Sequence, residues 1–175
     1  MSSQPRLTPT SYIVLGLVEA SGEATPYDLK RTVAKSLGNF WSLPHAQLYA
    51  EPKRLAAAGL LEERQESSGR RRKYYRLTEQ GGQALSEWRS APTEEMTELR
   101  DLAMLKIFFG ADPAQMAAAQ LPARRRKLEE YEGVHELIAE HAPEGSLLTL
   151  EAGIRHEREW VRFWSGLAEE ESEPG

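Results

Sequence analysis

The sequence predicts a mostly α-helical chain with one small β-hairpin. Three observations carry that reading. Apolar residues recur at helical spacing in three short runs between Thr8 and Gly59. Two strand-like runs, Leu60 to Glu66 and Lys73 to Thr78, flank a Ser67-Ser68-Gly69 loop with turn chemistry. From Thr93 onward every patterned segment has the helical period. Three short helices closed by a hairpin with a basic tip form the layout of a winged helix-turn-helix. The predicted organisation is therefore a winged helix-turn-helix domain over residues 1–90 and an α-helical domain over 91–175.

The first helix starts where Thr8 can cap it and Pro9 suits the first helical position, and it runs to about Ala20. Ile13, Val14, Leu17 and Val18 give it an apolar face. Ser21-Gly22-Glu23 breaks the pattern. Thr25-Pro26 opens a second helix carrying Tyr27, Leu29, Val33 and Leu37, which stops at Gly38. A third helix begins near Ser42 to Pro44 and ends at Gly59. Its Leu48, Pro52 and Leu55 recur at core spacing, whereas His45, Tyr49 and Lys53, four apart, make a different stripe. After the hairpin, Thr78-Glu79 starts a helix through Trp88, and Ser90-Ala91-Pro92 ends it and marks the domain boundary.

In the second half, Thr93 to Phe109 reads as one helix that is apolar on more than one face. Met96, Leu99, Leu102, Met104, Leu105, Ile107, Phe108 and Phe109 supply the apolar groups. Burial on every side of such a helix, in a domain this small, calls for a partner subunit. Asp112-Pro113 caps a long helix to about His141, which Pro122 should kink or split. Ser146 opens the last helix, with Leu150, Ile154, Val161 and Trp164 on one face and Trp160, Phe163 and Leu167 beside it. Trp160 and Trp164 are read either as core packing or as the flat wall of an effector pocket. The tail from Glu169 to Gly175 is acidic and reads as disordered.

Charge divides the chain. Residues 1–90 hold 13 Lys and Arg against 9 Asp and Glu, while residues 91–175 hold 9 against 18. A basic front half suits phosphate even though the total is -5. There is no cysteine, so disulfides, thiolate metal sites and cysteine nucleophiles are excluded. The longest apolar run, Tyr12 to Val18, is too short to span a bilayer, and no targeting segment is visible. A cytoplasmic location and no membrane partner are expected.

Several residue types point to duplex DNA. Early residues of a recognition helix reach base edges. His45 and Gln47 can exchange hydrogen bonds there, and Ala46 can touch a thymine methyl. Tyr49, Lys53 and Arg54 suit phosphate. The hairpin tip Arg70-Arg71-Arg72-Lys73 can reach a groove or the backbone, although Glu62, Glu63 and Glu66 on the facing strand can pair part of it. Tyr27 and Ser42 complete the candidate DNA-contact set. A second basic run, Arg124-Arg125-Arg126-Lys127, is followed by Glu129, Glu130 and Glu132, which pair with it along a helix, so it reads as structural.

No catalytic constellation is found. There is no phosphate-cradling glycine loop or nucleophile elbow, and His45, His135, His141 and His156 lack metal-ligand spacing. No cofactor, metal or enzymatic activity is expected. Two other readings stay open at this point: a winged helix used only to bind protein, and a small-molecule-binding or hydrolytic helical half.

The ordered series Tyr27-Asp28-Leu29, Phe40 to Tyr49, Lys53-Arg54-Leu55, Gly59-Leu60-Leu61 and Lys73 to Thr78 resembles the PadR family of transcriptional regulators. So does the Tyr-x-Leu-Thr-x-x-Gly ending, Tyr75 to Gly81. The match covers roughly residues 10–90. The second half resembles the virulence-activator-type C-terminal domain of that family. The resemblance implies a homodimer whose helical regions pair and whose two winged helices read a palindromic operator. It also implies a repressor relieved by a small hydrophobic or phenolic effector. On that basis Leu99, Leu102, Leu105, Phe108, Phe109, Trp160, Val161 and Trp164 are the candidate dimerisation residues. The chain departs from the family pattern at Ala50-Glu51-Pro52. A proline inside the third helix removes a backbone hydrogen bond at a cost of about 3 kcal/mol, so the helix either bends or starts late.

Overall fold

The computed structural model describes residues 6–38, 41, 43–67 and 71–169. The chain divides into two compact units, Met1–Glu95 and Met96–Gly175. The first holds helices α1 (Pro9–Ser21), α2 (Pro26–Lys35) and α3 (His45–Ala57), strands β1 (Leu61–Gln65) and β2 (Lys73–Leu77), and helix α4 (Glu79–Ser90). The second holds α5 (Leu102–Phe108), α6 (Pro113–Ile138) and α7 (Glu144–Glu169).

Local chemistry sets the starts of the first helices. Thr8 and Thr25 each accept a hydrogen bond from the residue three on, and Ser11 and Asp28 reach back to the cap's own N–H. These are reciprocal capping boxes, each followed by a proline at the first helical position. The end of α3 is set by Gly59, whose φ of +78° lies in the left-handed region. Side chains from α1, α2, α3, the hairpin and α4 form one core: Val14, Leu15, Val18, Leu29, Val33, Leu48, Leu55, Leu60, Leu61, Tyr75 and Leu85.

Pro52 does not delay the start of α3, because the helix begins at His45 and runs on through Pro52 to Ala57. Pro52 is fully buried on the same side as Leu48 and Leu55. Burial of the ring offsets the missing hydrogen bond.

β1 and β2 pair antiparallel with Leu61 opposite Leu77 and Gln65 opposite Lys73. A bridge between Ala24 and Tyr75 extends the ladder by one residue from the α1–α2 turn, with N···O distances of 3.0 and 2.9 Å. The wing is thereby hydrogen-bonded to the helix-turn-helix through its backbone.

In the second unit α6 and α7 pack as an antiparallel pair. Ala117 meets Trp164 in a buried cluster, Arg124 bonds Glu157, and Tyr131 packs on Gly153. α6 is continuous through Pro122, so the predicted split does not occur. Pro122 and Ala118, whose carbonyl loses its helical donor there, are both exposed, and water can serve that carbonyl.

The predicted helix over Thr93 to Phe109 is corrected. Residues 92–101 carry no regular secondary structure, and the helix is confined to Leu102–Phe108. The Asp101 carboxylate accepts from the N–H groups of Ala103 and Met104, so the helix starts there. This helix is not buried all round either. Ala103 alone is fully covered, while Leu102, Leu105 and Phe108 are 67, 52 and 82% exposed.

Candidate nucleic-acid interface

Helix α3 turns one side to the core through Leu48, Pro52 and Leu55 and the other to solvent. On the outer side His45, Ala46, Gln47, Tyr49 and Lys53 are all exposed. The first turn offers an imidazole, a methyl and an amide, and the next adds a phenol and an ammonium. Polar groups of this kind suit base edges near the helix start and phosphate farther along.

Two of the predicted contacts are engaged within the protein. Arg54 donates to Glu51 at 2.5 and 2.9 Å and to the buried Ser11 hydroxyl at 3.0 Å. Arg54 thus ties α3 to the start of α1. Gln47 accepts a hydrogen bond from the Thr10 hydroxyl at 3.0 Å through its Oε1. The Arg54 and Ser11 hydrogen bonds hold the Glu51 carboxyl below the ordinary glutamate value, against the opposing effect of burial.

A groove opens between α2, α3 and the wing. Thr25, Pro26, Tyr27, Asp28 and Arg31 line it from α2, Tyr49 from α3, and Arg72, Lys73 and Tyr74 from the hairpin. The N-terminus of α2 faces this groove with its partial positive charge. Asp28 is the acid here, kept ionised by the hydroxyl and backbone N–H of Thr25. Arg31 lies 3.8 Å from it, a loose and exposed pair. Sequence reasoning missed Arg31 and Tyr74. The signals were available: Arg31 falls four residues after Tyr27 on one helix face, and Tyr74 shares a strand face with Arg72.

The wing is braced on both sides. Arg64 pairs with Glu23 of the α1–α2 turn at 2.8 Å and lies over the Tyr74 ring. Lys73 pairs with Glu63 at 2.7 Å, and Tyr75 donates to the same carboxylate at 2.8 Å. The Tyr75 hydroxyl, buried and bonded to an anion, is pushed up to about 12. Lys73 is therefore partly neutralised, as the acidic facing strand suggested. Arg71 and Arg72 remain exposed, and Arg71 has a φ of +50°, a left-handed backbone unusual for arginine. Ser42 and Arg70 lie outside the described residues.

The second unit shows how the remaining predicted residues are placed. Leu99, Leu102, Leu105, Phe108 and Phe109 are exposed, and Val161 is half-buried. Trp164 is fully buried among Ala103, Ala117 and their neighbours. It is a core side chain of its own unit and has no surface to offer a partner, which corrects its place among the dimerisation residues. Trp160 stacks on Trp164 at 6.0 Å and donates to His156 at 2.8 Å. In the second basic run Arg125 and Arg126 are exposed, and Glu132 pairs with Arg158 rather than with the run. Arg124 bridges Asp101 at 3.1 Å and Glu157 at 3.2 Å and lies over the Trp160 ring, while Lys127 pairs with Glu130 along the helix. Among the described residues no group of three or more His, Cys, Asp or Glu is placed to hold a metal ion, and no helix is long and apolar enough to cross a membrane.

Comparison with known proteins gives these features a family. Residues 14–87 match the transcriptional regulator PadR-like family, and residues 99–169 match the virulence activator alpha C-terminal domain. The negative transcriptional regulator PadR of Bacillus subtilis (strain 168) is 32% identical over 173 residues, spanning 89% of this chain and 93% of that protein. The chain belongs to the PadR family. The crystal structure of B. subtilis PadR in complex with operator DNA superposes with a TM-score of 0.80 at 28% identity, covering 90% of this chain and 96% of that one. The complex of the same regulator with p-coumaric acid has a TM-score of 0.77 at 24% identity, covering 97% and 100%. The PadR-like match begins inside α1 and ends inside α4, so it takes in the exposed α3 face, the groove and the wing.

Proposed function

We propose that this PadR-family chain is a homodimeric repressor that reads a palindromic operator and is released by a small hydrophobic, phenolic-type effector. It works in the cytoplasm, where its DNA is. The observation that carries the reading is the joint exposure of the α3 face and the cationic groove beside it, in a chain 32% identical to a negative regulator. His45, Ala46 and Gln47 enter the major groove. Tyr27, Tyr49, Lys53 and Arg31 meet the flanking phosphates, and Arg71 and Arg72 carry the wing contact. Arg54 and Lys73 act chiefly on the protein's own carboxylates. The apolar groups of α5, with Leu99, supply the dimer contact, and two-fold symmetry places the half-sites about 34 Å or a multiple apart. The effector reading draws on the relative solved with p-coumaric acid.

Fluorescence anisotropy tests the proposal, with the DNA upstream of the protein's own coding region and an unrelated duplex compared across a salt series. The expected result is tight, salt-steep binding to the upstream fragment, weak binding to the control, and release by phenolic acids. Arg71→Ala with Arg72→Ala should weaken binding to both duplexes and reduce the salt slope by about 2 per wing pair engaged. An unchanged slope in that double variant would remove the wing from the interface. Absence of binding at low salt would favour a protein-binding winged helix instead.

A further inference from the structure

Facing residues of an antiparallel pair share one face of the hairpin, and Glu63 stands opposite Tyr75. Tyr75 turns that face inward. Its ring is buried in the winged-helix core, and its backbone is hydrogen-bonded in both directions to Ala24. Glu63 is therefore an acid on the inner face of the wing, and its strand packs against α3.

Both carboxylate oxygens of Glu63 are engaged. Oε1 lies 2.7 Å from the Lys73 ammonium, and Oε2 accepts from the Tyr75 hydroxyl at 2.8 Å. The second bond sets this pair apart from an ordinary surface ion pair. Two long exposed side chains gain little from pairing and separate readily. Here the buried tyrosine is fixed, so the carboxylate is held where Lys73 meets it. The Lys73 ammonium, and after it the Tyr75 hydroxyl, keep the Glu63 carboxyl below the ordinary glutamate value, and the charge of Lys53 on α3 adds to this. Glu63 is accordingly an anion at neutral pH.

Lys73 lines the same groove as Arg31, Tyr49 and Arg72, and it follows directly on the exposed Arg71 and Arg72. Its place is that of a phosphate contact. An ammonium already matched by a fixed carboxylate, however, collects few counterions on DNA and displaces few from it. We propose that Glu63 is a positioning residue that withholds Lys73 from phosphate and so restrains the sequence-independent part of DNA binding. The free cations Arg71 and Arg72 then carry the wing contact, while Lys73 and Glu63 together are silent. The inference rests on the DNA-reading proposal above and adds a restraint to it.

The test is fluorescence anisotropy of the full-length chain with the upstream fragment and an unrelated duplex across a salt series. The parent, Glu63→Gln and the double variant Glu63→Gln with Lys73→Met are compared. Glutamine keeps an acceptor for Tyr75 and removes the charge, and methionine keeps most of the lysine stem. Glu63→Gln should bind the unrelated duplex on the order of tenfold more tightly at low salt, with a salt slope steeper by about 1 per wing engaged. The double variant should return to the affinity and slope of the parent, because it has lost one charge of each sign. Damage to the wing alone would weaken binding, the opposite of the expected effect. Unchanged or weaker binding by Glu63→Gln would overturn the restraint. So would a gain that persisted in the double variant, since it would not pass through Lys73. A double variant with a slope shallower than the parent's would show Lys73 already on phosphate, and would overturn it as well. If the parent bound neither duplex at low salt, the DNA-reading proposal itself would fall.

Discussion

At the residue scale, Gly81 is the most closely packed of the described glycines and lies in the first turn of α4. A Cβ there would stand 2.1 Å from the Leu60 carbonyl oxygen and 3.0 Å from Leu77 Cδ1. The clash is with backbone, so it cannot be relieved by a rotamer change. Gly81→Ala should destabilise the winged-helix unit by about 3 kcal/mol, read as a shift in the urea unfolding midpoint. The glycine that closes the Tyr-x-Leu-Thr-x-x-Gly pattern thus has a steric cause: the strand–helix junction leaves no room for a side chain. Glu51 makes a second prediction. Hydrogen bonds from Arg54 and then Ser11 hold its folded-state pKa below the ordinary value of 4.5. Its contribution to stability is therefore full above that value and is lost as pH falls through the folded one. Unfolding free energies of the parent and Glu51→Gln should differ near neutral pH and converge in acid. A constant gap would mean that the carboxylate charge plays no part.

At the scale of elements, the short helix α5 depends on one residue. Asp101 caps its first turn and also pairs with Arg124, whose other partner is the buried Glu157. Asp101→Ala removes the cap and half of the charge compensation together, and should cost about 2 kcal/mol. Asp101→Asn keeps a capping oxygen and should cost about half as much, measured by thermal unfolding of the full chain. Equal losses would assign the whole effect to the ion pair. The caps of α1 and α2 were legible in the sequence because Thr-Pro announces a helix start locally. The start of α5 was misread because an apolar count over Thr93 to Phe109 cannot register that a single carboxylate, at Asp101, gathers the first free N–H groups.

Across the whole molecule, the exposed apolar groups are concentrated in the acidic half, at Leu99, Leu102, Leu105, Phe108 and Phe109. A run of this size left in water marks an association surface. If the proposed dimer forms through this surface, Leu105→Asp combined with Phe108→Asp should give a monomer by light scattering without lowering helical content, and affinity for the proposed operator should fall because two half-sites are no longer bound as one. A variant that stayed dimeric would move the interface away from α5. The division of charge belongs to this scale as well. The basic front carries the proposed phosphate contacts, while the back half is acidic.

Much of this protein is determined by its sequence alone. Helical and strand periods, Thr-Pro caps and the ordered motif from Tyr27 to Gly81 settle most elements of the winged helix and point to its family, because each is a local property of neighbouring residues. Tertiary structure decided which polar groups have partners. Arg54 and Lys53 are adjacent in sequence, yet Arg54 is engaged by Ser11 and Glu51 while Lys53 projects outward. Trp160 and Trp164 share a helix face, yet one is half-buried and the other entirely enclosed. Gln47 meets Thr10 across 37 positions of sequence. Contacts of that range arise only when separate helices pack in one register, which no periodicity along a single helix records.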